Sequence, residues 1–155
     1  MKVEQKLAEL GITLPEAPKP VAAYVPGVIT GDLVFVSGQL PTVEGKLSAM
    51  GKIGDELTVK DGQKAARRAA INCLGVLKAL LGDLDRVQQV VKLTGYVQSA
   101  NDFYNQPQVV NGASELMQEV FGEKGQHARA AVGVNALPLN APCEVELIVR
   151  ISNEV

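Results

Sequence analysis

From Thr58 to Gly82 the chain sets small and apolar residues at helical spacing: Ala65, Ala69, Cys73, Leu77 and Leu80, flanked by Ala66, Ala70, Leu74 and Leu81. A helix this long, with a stripe this wide and so rich in alanine, needs a broad apolar partner, and a sheet supplies one. Its ends are marked. Thr58 reads as the N-cap with Asp61 at the third helical position, and Gly82 stops the pattern.

The remaining segments supply the sheet. Val21 to Val28 reads as extended, with a bend at Pro26-Gly27. Gly31-Asp32 marks a turn, and Leu33 to Gly38 is a short β-branched run, so the two form a hairpin. Val87 to Gln98 is a strand. Val109, Ala113, Leu116 and Val120 recur at helical spacing with Val110, Met117 and Phe121, opening near Gln106-Pro107 and closing at Gly122. Ala128 to Val134 and Cys143 to Ile151 are the last two strands, read as joined by a Leu137-Pro138 turn. Val3, Leu7 and Leu10 make a short first helix ended by Gly11, and Leu14 to Pro20 is an extended connector. Pro41 to Asp55 is read as a loop with a short extended piece. The order helix, β-β, helix, β, helix, β-β indicates an α+β fold: one mixed sheet with helices on one face. One domain is expected over 1–155, with 1–19 as N-terminal helix and connector.

Composition excludes several function classes. The 155 residues carry a net charge of −2 and no Trp, which leaves no basic footprint for nucleic acid and little for base stacking. The single histidine, His127, leaves no two-histidine metal site. Cys73 and Cys143 fit no metal or CxxC spacing and read as reduced core thiols, pointing to the cytoplasm. The start of the chain shows no signal-peptide pattern, and no apolar run is long enough for a membrane span. GxGxxG and Walker motifs are absent.

Charge placed within apolar strands is the chemical signal, because burying an unpaired charge is costly. Arg129 stands among Ala128, Ala130, Ala131 and Val132. It is either a receptor for a small carboxylate, which its planar fork matches, or half of a buried pair with Glu144 or Glu146 across the turn; the two are compatible. Glu144 and Glu146 share one sheet face, roughly 6–7 Å apart. They form either a paired-carboxylate site or a solvated face with partners such as Lys92 or Arg150. His127 is expected at the surface where its strand begins, Tyr24 half-buried with a wet hydroxyl, and Asn111 on an exposed helix face. Lys64, Arg67 and Arg68 read as one solvated face.

Three blocks then give the chain a family resemblance. They are Ala23-Tyr24-Val25-Pro26-Gly27-Val28 leading to Val36-Ser37-Gly38-Gln39-Leu40-Pro41; Asn101-Asp102-Phe103 with Val110-Asn111; and Ala128-Arg129-Ala130 through Leu137-Pro138 to Glu144-Val145-Glu146. In this order and spacing the chain, from about Pro20 to Ile151, resembles the Rid family (RidA/YjgF, also labelled endoribonuclease L-PSP). The resemblance implies a chorismate-mutase-like fold in a homotrimeric barrel with sites between subunits. It implies hydrolysis of small 2-imino or enamine acids (2-aminoacrylate, 2-iminobutanoate) to 2-keto acids and ammonia, with no cofactor or metal. It places the carboxylate-binding arginine at Arg129, the water-positioning glutamate at Glu144, the pocket tyrosine at Tyr24, and other substrate contacts at Gly38, Asn111 and the backbone of Ala131. Many members carry a cysteine where this chain has Ala131. The N-terminal helix, the Pro41–Leu57 loop and a longer Asp102–Asn111 segment mark a divergent subgroup. Non-catalytic binding of a small carboxylate is the alternative, and ribonuclease activity a further one that the charge disfavours.

Overall fold

The computed structural model describes residues 2–17 and 23–153. Part of the expected connector, and Val21 and Ala22 of the first extended segment, lie outside the described residues. The elements in chain order are α1 (Lys2–Glu9), β1 (Gly27–Thr30), β2 (Leu33–Gln39), β3 (Thr42–Val43), β4 (Lys46–Leu47), α2 (Val59–Leu81), β5 (Val87–Gln98), α3 (Gln106–Phe121), β6 (Ala128–Val134) and β7 (Cys143–Ile151). The α+β expectation holds: five strands form one mixed sheet in the order β1-β2-β7-β5-β6, and α2 and α3 pack on one face of it.

Helix α2 begins and ends where its sequence says. Thr58 Oγ1 accepts the Asp61 N–H at 3.1 Å and the Asp61 carboxylate accepts the Thr58 N–H at 2.9 Å, a complete capping box. Gly82 closes the helix at φ 76°. The alanine stripe is fully buried, and it faces α3 as well as the sheet. At that crossing a Cβ on Gly112 would lie 2.1 Å from the Gln63 carbonyl oxygen, so the two helix backbones nearly touch.

The last two strands are not a hairpin. β5 lies between them, parallel to β6 and antiparallel to β7. The crossover from β6 to β7 passes over the end of β5 and is pegged there by Gln98, which is buried. Its Oε1 accepts the Leu137 N–H at 2.7 Å, and its Nε2 donates to Asn140 Oδ1 at 2.8 Å and the Gly51 carbonyl at 2.9 Å. β7 alternates as read from sequence: Cys143, Val145, Leu147, Val149 and Ile151 are buried toward the helices, with Glu144, Glu146, Ile148 and Arg150 on the open face. The Pro41–Asp55 loop contains the small β3–β4 hairpin and buries Ile53 completely.

Helix α1 sits on the helical side. The Asp85 carboxylate accepts the Lys2 and Val3 N–H groups at 2.8 and 2.9 Å, and Glu4 accepts from Lys78 Nζ at 2.9 Å and the Leu84 N–H at 3.2 Å. Arg67 and Arg68 are not merely solvated. Arg67 pairs with Glu119 of α3 at 3.3 Å, and Arg68 Nε donates to the Thr42 carbonyl at 2.8 Å, pinning β3 to α2. Both cysteines are free and buried, as expected. Burial pushes both thiols up, Cys143 to about 12, so neither is a nucleophile at neutral pH. No described helix is long and apolar enough to cross a membrane.

Candidate functional site

The residues singled out in the sequence fall into two clusters. The first lies on the open face, where β2 meets β7. The register slips between Val36 and Gln39, so Ser37 and Gly38 form a bulge against β7. Glycine leaves room there for a side chain: a Cβ on Gly38 would stand 2.0 Å from Glu144 Oε2. The Glu144 carboxylate therefore lies directly against the Gly38 backbone. Ser37 Oγ donates to the Val25 carbonyl at 2.8 Å and the Ser37 N–H to the Pro26 carbonyl at 2.8 Å, tying the Tyr24-Val25-Pro26 segment to the same bulge. Tyr24 is 63% exposed, a correction to the half-buried expectation, because among the described residues nothing covers its ring.

Glu144 is half-buried. Burial, and then the neighbouring Glu146, push its carboxyl above the usual carboxylate range. No described cation lies within ion-pair distance of Glu144 or Glu146, so the expected pairing with Lys92 or Arg150 is not made. A tyrosine takes that place. Tyr96 of β5 sits opposite Glu144 in the ladder and donates its hydroxyl proton to Glu146 Oε1 at 2.6 Å. That bond, with burial, holds the phenol near 12. In sequence Tyr96 is only a strand former; the β5–β7 register reveals its partner.

The second cluster lies at the sheet edge under α3. Arg129 is exposed and makes no pair with Glu144 or Glu146, so the expected contact across the Leu-Pro turn is overturned. The interposed β5 is the reason. Glu144 aligns through Tyr96 with Val132, three residues beyond Arg129, so the two are about 10 Å apart along the strands and about 10 Å across them. They also point to opposite faces, since Arg129 aligns with the core residue Leu93. Arg129 instead reaches α3, where Nη1 donates to Asn111 Oδ1 at 2.8 Å and Ser114 Oγ at 3.2 Å. Both protons of Nη1 are thus engaged. The Nε–Nη2 edge has no partner among the described residues, and it is the edge that grips a carboxylate with two parallel hydrogen bonds. Asn111 is half-buried rather than exposed. Ala131 points the same way as Arg129 and packs half-buried against the core.

His127 is held inside this cluster rather than lying free at the surface. Its Nδ1 contacts the Gly125 carbonyl at 2.6 Å and its Nε2 contacts Ser114 Oγ at 2.9 Å. The three carboxylates that approach one another most closely, Glu4, Asp83 and Asp85, lie on the α1 side and are occupied as caps and ion-pair partners.

A five-stranded mixed sheet with two helices on one face, a glutamate against a glycine bulge and an arginine at the far edge define a class of small α+β proteins. The chain belongs to the family described as "YjgF/chorismate_mutase-like, putative endoribonuclease", whose model matches residues 4–151. Protein TCP17 of Trypanosoma cruzi is 46% identical over 98% of this chain and 96% of its own length. A 2-iminobutanoate/2-iminopropanoate deaminase of Dermatophagoides farinae is 33% identical over 90% of this chain and 94% of its own. Among solved structures, Atu1372 of Agrobacterium tumefaciens, of unknown function, superposes with a TM-score of 0.91 at 47% identity, covering 97% of this chain and 94% of that one. The structure of E. coli TdcF with bound serine gives a TM-score of 0.65 at 26% identity over 88% and 94%.

Proposed function

We propose that this protein hydrolyses small 2-imino and enamine acids to 2-keto acids and ammonia, at sites built between copies of the chain in a homotrimer. The observation that carries the reading is the form of the two clusters. One offers an unpartnered guanidinium edge, the other a half-buried carboxylate with a raised pKa, and neither can reach the other within one subunit. The deaminase name of the Dermatophagoides relative and the serine bound by TdcF agree with a small amino- or keto-acid ligand.

In this reading the Nε–Nη2 edge of Arg129 fixes the substrate carboxylate. A second copy brings its Gly38–Glu144 edge opposite, with Tyr24 walling the pocket. Glu144 takes one proton from water as the oxygen bonds to the imine carbon and passes it to the nitrogen, giving a carbinolamine; the remaining hydroxyl proton follows the same route to the nitrogen as the C=O bond forms and the C–N bond breaks, releasing ammonia. A carboxyl raised above the usual carboxylate range is a better proton acceptor than a free one. No residue at Ala131 needs a thiol for this route, and no cofactor or metal enters it. The net charge of −2 argues against RNA as substrate.

The test couples the purified protein to a serine or threonine dehydratase and follows keto-acid release. Acceleration by the wild type that is lost in Arg129→Ala supports the reading; no acceleration, or equal acceleration by the variant, sinks it. The separation of the two clusters also suits a binding protein without turnover. Glu144→Gln decides between them: it keeps keto-acid binding under both readings, but abolishes hydrolysis only if hydrolysis occurs.

A further inference from the structure

His127, Ser114 and Arg129 form a chain of hydrogen bonds that the proposed reaction does not use. The Gly125 carbonyl can only accept, so His127 Nδ1 carries a proton in either charge state. In the neutral ring Nε2 is then an acceptor. The Ser114 hydroxyl must donate its one proton to it, and the lone pairs of Oγ are left for the Arg129 Nη1–H. The serine thus accepts from arginine and donates to histidine, and every group is satisfied. When Nε2 gains a proton it becomes a second donor to the same oxygen. The hydroxyl loses its acceptor, and an imidazolium and a guanidinium face each other across one oxygen atom.

We propose that Ser114 and His127 are positioning residues for Arg129, the hydroxyl passing the protonation state of the imidazole to the guanidinium that receives the substrate carboxylate. The neutral ring holds Nη1 in place and presents the Nε–Nη2 edge; the charged ring releases it. The other charged groups on the elements packed around His127 are Lys92 on β5, aligned with Ala128, Glu115 and Glu119 on α3, and Glu123 and Lys124 in the turn after α3. Glu119 is already paired with Arg67. None of these bonds the ring, so Ser114 and Gly125 are its described partners. The inference rests on the proposed role of Arg129 and is tested beside it.

The experiment measures binding of 2-oxobutanoate by calorimetry across the pH range in which histidine titrates, and follows the one imidazole by NMR. Wild-type affinity is expected to fall about ten-fold as the ring protonates, the scale of one charge-assisted hydrogen bond. By linkage, the keto acid should move the imidazole titration to lower pH. His127→Gln, whose amide oxygen can still accept from Ser114, is expected to keep the neutral-pH affinity and lose the pH dependence. Ser114→Ala and His127→Phe are expected to bind weakly at every pH. If Arg129→Ala abolishes binding while Ser114→Ala and His127→Phe bind like the wild type, the positioning role is wrong and the carboxylate reading stands. If Arg129→Ala binds unchanged, the carboxylate reading itself fails.

Discussion

At Gly38 a single hydrogen in place of a methyl group decides where a carboxylate sits. An alanine there would put its Cβ 2.0 Å from Glu144 Oε2, and the atom it meets is the free end of a flexible side chain. Gly38→Ala is therefore expected to fold with little change in melting temperature but to swing Glu144 off its position and lose activity, read by calorimetry and the coupled assay together. Glu144 itself works against stability at neutral pH. Its raised pKa means the folded chain binds that proton more tightly than the unfolded chain. The stabilisation is present in acid and lost as pH rises through the folded titration. Glu144→Gln should thus match the wild type near pH ~4 and melt higher than it near pH ~7; a variant less stable at neutral pH would contradict the assignment. Residue type and motif single out Arg129, Glu144, Gly38 and Asn111 as candidates. They do not give the bonding that the structure shows. Ser114, His127 and Tyr96 gain their partners only from α3 lying over β6 and from the β5–β7 register, neither of which the periodicity of one segment carries.

Among the elements, the caps were the most legible feature. Thr58, Asp61 and Gly82 act locally, so a few consecutive residues specify them. Thr58→Ala is expected to cost about 1 kcal/mol in chemical denaturation. The α2–α3 crossing was less visible. The alanine stripe announced a broad partner, but Gly112 gave no sign that its missing Cβ lets the helix meet the Gln63 carbonyl. Gly112→Ala presses on backbone rather than on a side-chain end, and is expected to destabilise by roughly 1–3 kcal/mol. Strand pairing was the main misreading. A short connection between two apolar strands suggests a hairpin, yet β5 takes the central place because it pairs with both β6 and β7. Gln98, the buried polar residue that pegs the crossover, was the clue: a glutamine at the end of an apolar strand must satisfy its amide somewhere.

At the scale of the whole molecule, the misplaced hairpin changes the functional argument. With β6 beside β7, Arg129 and Glu144 would have made an internal pair. With β5 between them they point to opposite faces and make no pair within the chain. The open face carries exposed Val28, Phe35 and Val132 around the glutamates, apolar surface of the kind that a second copy would cover. The central claim is that an arginine from one copy and a glutamate from the next complete each site, and mixing two inactive variants tests it most directly. Arg129→Ala and Glu144→Gln subunits, co-refolded in equal amounts, should recover about a quarter of wild-type activity, because each mixed trimer regains one intact site in three. Activity that stays at the level of the separate variants, in trimers shown to have exchanged subunits, would contradict it.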